Sequence, residues 1–290
     1  MQKGSITMKI GYLGPMGTFS EQAARAYSKA VVEAELIQYS SIYQVMEAVE
    51  QGDTQECVVP LENSIEGTVT STIDFLIFHP QLYIKAEIVI PIWEDFLVKT
   101  NYQGEPITQI LSHPQALAQC TEFIRHNFPH CTLRPTNSTA EAAEMVAKST
   151  EPIAALAPRR AAEVYGLHSL YHAVQDDDNN STRFVVVTKE RVRERAAKSK
   201  SSIVFATQNK PGDLHRILDI LSIWEINMTK IESRPMKHQL GTYVFFIDLE
   251  AKNLPDLKAA LKLIARKTSF FKFLGSYPVL KGEVEKNGKQ

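Results

Sequence analysis

Three stretches of this 290-residue chain begin with a hydroxyl side chain and carry Glu or Gln three residues on: Thr18-Phe-Ser-Glu21, Ser112-His-Pro-Gln115 and Ser138-Thr139-Ala-Glu141. That spacing is a capping box, in which the hydroxyl accepts from the first-turn backbone and the longer side chain reaches back. Each follows a run that reads as a strand, and Pro114 suits a first helical turn. In an α/β sheet, strand ends and helix starts gather along one edge. The positive ends of the helices attract anions there. Taken singly, each box is simply a good helix start. Three in one α/β segment point to a seat for a small ligand with more than one carboxylate.

Two polar segments add further groups. Pro60-Leu-Glu62-Asn63-Ser64-Ile-Glu-Gly67 ends an apolar run, and Asp178-Asn-Asn-Ser-Thr182-Arg183-Phe184 feeds another. The Arg183 guanidinium is a planar fork that matches a carboxylate ligand or a structural ion pair. Asn63 and Ser64 can donate to a ligand or close an Asx-type turn. Ser112 and Gln119 lie two helical turns apart on one face, so Gln119 either joins the site or is solvated. His113 reads as a capping or packing residue, and Phe184 as packing for its loop rather than a ring stacked on a ligand. Glu62 and Glu141, if buried, are candidate acids. Gly14-Pro-Met-Gly17 allows a tight turn but is neither a dinucleotide fingerprint nor a P-loop.

The elements that must position these groups alternate. Strands are expected at 9–13, 57–61, 83–91, 110–111, 153–157 and 183–188. Helices are expected from Thr18 and at 69–78, 114–127, 140–149 and 159–165. Alternation of this kind implies a mainly parallel, helix-covered sheet, an α/β fold. The charged run 189–200 reads as a linker. Beyond it, strands at 202–207, 226–232, 242–249 and 270–277 with helices at 212–224 and 254–267 spell βαββαβ, the ferredoxin-like order. The polar tail 282–290 reads as disordered.

Bulk properties exclude several classes. With 44% hydrophobic and 22% charged residues and a net charge of −1, nothing suggests a nucleic-acid or membrane partner held by charge. No apolar run approaches the roughly 20 residues that span a bilayer, and Met1 to Thr7 lack the core of a signal peptide. Cys57, Cys120 and Cys131 are odd in number and show no C-x-x-C spacing, so reduced thiols in a cytoplasmic protein are expected, with no metal site.

In their order along the chain, Gly11–Ser20, Pro60–Val69, Ser112–Cys120, Ala154–Ala157 and Asp178–Phe184 resemble the signature blocks of the prephenate dehydratases. Ile231-Glu232-Ser233-Arg234-Pro235 resembles the ACT-domain block of the same enzymes. The resemblance implies a two-lobed, periplasmic-binding-protein-like catalytic domain over 8–188, with lobe 1 at about 8–84 and 176–188 and lobe 2 at about 85–175. It implies an ACT regulatory domain over 201–281 and a homodimer or homotetramer. The implied reaction converts prephenate to phenylpyruvate, water and CO2 on the route to phenylalanine, with no cofactor. Arogenate dehydratase and a non-catalytic aromatic-acid sensor are the alternatives. A fused chorismate mutase, as in some relatives, is not expected ahead of Met8. Thr182 is the implied catalytic contact to the leaving group. Thr18, Glu62, Asn63, Ser64, Ser112, Gln119, Ser138, Thr139, Glu141, Arg183 and Phe184 are expected around the substrate. Gly212, Asp213, Leu214, Glu232, Ser233, Arg234 and Pro235 are expected to bind phenylalanine as effector, with Asp213 standing where Ala or Ser is commoner.

Overall fold

A computed structural model describes residues 7–31, 33–193, 199–208, 210–236 and 242–281. The expected tail 282–290 and part of the expected linker, 194–198, lie outside them. In chain order the first elements are β1 (Met8–Leu13), α1 (Phe19–Val31), β2 (Ala34–Tyr39), α2 (Ile42–Gln51), β3 (Glu56–Asn63), β4 (Gly67–Thr68), α3 (Thr70–Phe78) and β5 (Tyr83–Pro91). There follow β6 (Asp95–Lys99), β7 (Gln109–Ser112), α4 (Pro114–Gln119), α5 (Thr121–Asn127), β8 (Thr132–Pro135), α6 (Thr139–Lys148), β9 (Ile153–Ala157), α7 (Arg159–Tyr165) and β10 (Leu167–Tyr171). The last described elements are β11 (Ser181–Thr188), β12 (Ser199–Ala206), α8 (Asp213–Ile223), β13 (Asn227–Pro235), β14 (Tyr243–Glu250), α9 (Leu254–Lys267) and β15 (Phe270–Lys281).

The strands form two sheets. The smaller runs β10-β6-β9-β7-β8. The larger runs β13-β14-β12-β15-β5-β11-β3-β1-β2, with β4 on β3. Its β15-β12-β14-β13 portion is the ferredoxin-like βαββαβ unit. That unit is fused edge-on to the first lobe by a short parallel seam, in which Val279, Leu280 and Lys281 of β15 face Glu87, Ile88 and Val89 of β5. At Gly275 (φ +147°), a Cβ would meet the Ile84 carbonyl oxygen at 2.3 Å, so only glycine lets the strands come together there. Pairing with β11 keeps β5 in the large sheet, so the expected lobe boundary at residue 85 falls inside a strand of the first lobe.

Sequence pattern explains the layers. The Phe184–Val187 run of β11 is apolar on both faces because both are covered. Phe184 and Val186 pack under α1 with Ile10, Val58 and Ile88, while Val185 and Val187 pack under α3. Helix α3 is apolar nearly all round for the same reason. Its Ile73, Leu76 and Ile77 share one core with Val204, Phe246 and Tyr277 of the ferredoxin-like unit. Lys272 of β15 donates to the Leu76 and His79 carbonyls at the end of α3, both at 2.6 Å.

Candidate active site

The chain crosses between lobes twice, at 92–94 and again at 172–180, and hydrogen bonds tie the crossovers together. Ile92 N donates to the Asn180 carbonyl (2.9 Å) and Val174 N to that of Glu94 (2.8 Å). Glu94 N donates to Gln175 Oε1 at 3.1 Å. Elsewhere the lobes meet where Arg160 of α7 donates to Glu21 of α1 at 3.2 Å and Tyr165 Oη to the Met16 carbonyl at 3.1 Å. Burial alone would raise the Glu21 carboxyl, but the Gly17 amide, Arg25 and Arg160 hold it below the usual range. A cavity of about 250 Å³ opens at this junction.

Helix starts line it, as the capping boxes imply. Thr18, Phe19 and Ser20 come from the start of α1, and Asn137, Ser138 and Thr139 from the start of α6. Thr18 Oγ1 accepts from Glu21 N (3.3 Å) and Ser138 Oγ from Glu141 N (3.0 Å). The two glutamates reach one residue beyond the cap, to Gly17 N (2.5 Å) and Asn137 N (2.7 Å). The third box needs correcting. The cap of α4 is His113, whose Nδ1 accepts from Gln115 N at 3.3 Å. Ser112 is buried one residue earlier and donates to the Leu156 carbonyl (2.6 Å), so it ties β7 to β9 and does not face the cavity. Among the described residues, no Lys or Arg lines the cavity. The positive ends of α1 and α6 are its attraction for anions.

Polar side chains close the other wall. Thr182 and Asn63 sit opposite each other on β11 and β3, and Asn63 Nδ2 donates to Thr182 Oγ1 at 2.9 Å. That fixes the Thr182 oxygen as acceptor and leaves its own proton for a partner in the cavity. Asn63 Nδ2 also reaches Asn180 Oδ1 (2.9 Å), and Asn180 Nδ2 donates to Gln119 Oε1 (2.8 Å). Gln119 lines the cavity, and its Nε2 is buried with no hydrogen-bond partner. Asn63 Oδ1 closes an Asx turn with Ile65 N and Glu66 N, while its Nδ2 is engaged by Asn180 and Thr182. Ser64 is exposed, bonded to Asn180 and Ser181 beside the cavity rather than in it.

Four expected substrate contacts lie elsewhere. Arg183 points away from the cleft and binds Glu62 (2.6 Å), Glu87 (2.6 Å) and Asp248 (2.8 Å). Burial works against its charge, but Asp248 and Glu87 more than offset that and raise its pKa further. Glu62 takes Arg183 and Lys230 (2.6 Å). Although burial opposes ionisation, these cations keep its carboxyl below the usual range, which favours the ionised form. Glu141 lines a neighbouring cavity with Gly14 and Glu144. Phe184 is buried under α1. Glu94 was missed: it is buried, lines the cleft, and its Oε2 has no hydrogen-bond partner among the described residues. The available signal was a Glu-Asp pair directly after the apolar run 88–93.

A second cavity, of about 320 Å³, lies behind the junction, with Arg25, Lys29, Arg159 and Arg160 on its walls and neither Thr182 nor Asn63. Among the described residues, no group of three or more His, Cys, Asp or Glu side chains is placed to hold a metal ion. No helix among them is long and apolar enough to cross a membrane.

The sequence profile of the family described as Prephenate dehydratase matches residues 10–192. The chain belongs to the prephenate dehydratase family. A prephenate dehydratase of Lactococcus lactis subsp. cremoris is 39% identical over 96% of this chain and 100% of its own length. Arogenate dehydratase 1 of Petunia hybrida is 35% identical over 94% of this chain and 67% of its own. The crystal structure of a prephenate dehydratase in complex with L-Phe from Arthrobacter aurescens superposes with a TM-score of 0.86. It is 31% identical and covers 93% of this chain and 90% of that one.

Proposed function

We propose that this chain catalyses the decarboxylative dehydration of prephenate to phenylpyruvate, water and CO2, and that L-phenylalanine restrains it through the C-terminal unit, acting as an ACT domain. The observation that carries the catalytic reading is Thr182, its oxygen engaged by Asn63 and its proton free, on the wall of a cleft where two helix N-termini converge. Prephenate has two carboxylates and a ring hydroxyl. As the C1–carboxylate bond breaks, its electron pair moves into the ring and expels the C4 oxygen. The ring becomes aromatic, which supplies the driving force. The protein's part is to seat the anions at α1 and α6, exclude water and stabilise the leaving oxygen. Thr182 donates a hydrogen bond to that oxygen, with Asn63, Gln119, Ser138 and Thr139 around it.

For the regulatory reading, the support lies in the ferredoxin-like unit. Gly212 caps α8 at φ +81° with open space around it, and Leu214 is partly covered beside it. Ile231, Ser233 and Pro235 of the edge strand β13 are exposed. Glu232 and Arg234 alternate toward the catalytic lobe, to Thr68 (2.9 Å) and Asp74 (2.8 Å), and Asp213 pairs locally with Arg216 (2.8 Å). The open edge at β13 and the exposed Ile223 and Ile231 favour pairing with a second copy, as a homodimer or homotetramer in the cytoplasm.

Incubating the full chain with prephenate, and separately with arogenate, while following the phenylpyruvate and phenylalanine formed, tests the catalytic reading. Turnover of neither substrate overturns it. Adding phenylalanine is expected to lower kcat without competing with prephenate, and purely competitive inhibition would remove the effector from the C-terminal unit.

A further inference from the structure

We propose that Glu94 is the proton donor of the reaction, delivering its carboxyl proton to the hydroxide that leaves C4; this rests on the dehydratase reading above. An alcohol such as Thr182 can share its proton with a leaving hydroxide but is too weak an acid to surrender it. Of the candidate acids, Glu62 is held by Arg183 and Lys230, and Glu141 belongs to a neighbouring cavity. Glu94 is the carboxyl that lines the cleft with Thr182.

Its setting is that of an acid kept in its protonated form. The residue is only 2% exposed, and Oε2 is buried without a hydrogen-bond partner. Its backbone is clamped on both sides, through Gln175 Oε1 and Val174 N, so the side chain has a fixed place at the crossing between lobes. The next residue, Asp95, turns to the other side and takes His172 (2.9 Å), Arg159 (3.4 Å) and Ala173 N (3.0 Å). Asp95 thereby takes the Arg159 guanidinium for itself. Burial first, and the Asp95 charge second, push the Glu94 carboxyl up to about 8. Around it stand Asp95, the buried Cys120, whose thiol is raised by burial and by Glu94 itself, and His113 at the start of α4. The α1, α6 and β11 residues on the cavity wall are uncharged. A dianionic substrate seated beside Glu94 would favour the neutral form further.

The step balances without another reactant. The C1–carboxylate bond breaks and CO2 departs. Its electron pair aromatises the ring, and the C4–O bond breaks with its pair on oxygen. Glu94 gives that oxygen a proton, so water leaves, and the resulting carboxylate is reprotonated from solvent before the next turnover.

The test is kcat and KM for prephenate with the full chain, from about pH 6 to about pH 9.5, for wild type and Glu94→Gln. Wild-type kcat is expected to fall on an alkaline limb set by Glu94. Gln keeps the shape and a hydrogen-bond donor but has no proton to lose. Its kcat is expected to fall about 10²–10⁴-fold, with KM little changed and no alkaline limb. A residue that merely held the cleft in shape would be served by Gln. Asp95→Asn, which removes the neighbouring charge, is expected to move the wild-type limb to lower pH. Wild-type turnover with a flat kcat profile, or Glu94→Gln retaining both kcat and the limb, overturns the assignment while leaving the dehydratase reading intact. Absence of turnover in the wild type would overturn both. If Glu94→Gln fails to fold, the wild-type and Asp95→Asn profiles decide.

Discussion

On β11, alternation sends Thr182 into the cleft and Arg183 toward carboxylates from β3, β5 and β14. The polar loop at 178–184 was legible in the sequence as a polar segment feeding an apolar strand, and the structure places its Thr182 on the cleft wall. The direction of Arg183 was not legible, because it depends on Glu87 and Asp248, far away in the chain. Thr182→Ala is expected to lower kcat by about 10²–10³ while changing substrate binding less, the cost of one lost donor to developing charge. Stopped turnover and equilibrium binding separate the two. Glu94 carries a second, structural consequence. Its carboxyl has the ordinary value of 4.5 when unfolded and is pushed up to about 8 by burial and Asp95 when folded. The folded state therefore holds an extra proton between those values, and stability from this group, full below pH 4.5, is lost as pH rises toward 8. Urea midpoints should show Glu94→Gln gaining on wild type across that window and levelling above it. A constant difference would mean that Glu94 ionises normally in the fold.

Among the elements, the starts of α1 and α6 were readable because capping is local: Thr18 with Glu21, and Ser138 with Glu141, lie within one turn. Helix α4 starts at Pro114 as expected, but its cap slipped by one, from Ser112 to the ring of His113. Strands β2, β4, β6, β8 and β10 and helix α2 were not foreseen. In β8 every residue is exposed, and β2 is half-covered at the end of its sheet, so neither carries a strong apolar signal. The stretch 114–127 read as one helix breaks at Cys120 into α4 and α5. Arg183→Ala tests the element that links the two halves. It leaves Glu62, Glu87 and Asp248 without a shared cation, and removing one partner of a buried ion pair costs about 3–5 kcal/mol. Urea unfolding should register that loss, well beyond any produced by Thr182→Ala. Comparable midpoints for the two variants would show that Lys200 and Lys230 suffice to hold these carboxylates.

At the scale of the molecule, the ferredoxin-like order was legible from its rhythm, but its fusion to the first lobe was not, because three strand positions and one buried helix, α3, create it. Catalytic lobe and C-terminal unit share a core, so calorimetry of the full chain should show the large sheet melting as one transition rather than two. By the same token an isolated 201–281 fragment would bare Val204, Phe246 and Tyr277, so effector binding is best measured on the whole chain. The seam at Val279–Lys281 has a further bearing, on how the protein keeps to itself. Those few residues cap the flank of β5, a strand whose Ile84, Ala86, Ile88 and Ile90 are all buried. A chain stopped after Tyr277 would present that flank as an unpaired row of backbone donors and acceptors, a template on which other chains can add strands. Light scattering should then reveal association that grows with concentration in the shortened protein and is absent in the intact one: the last three residues of β15 work as a cover on the flank of β5.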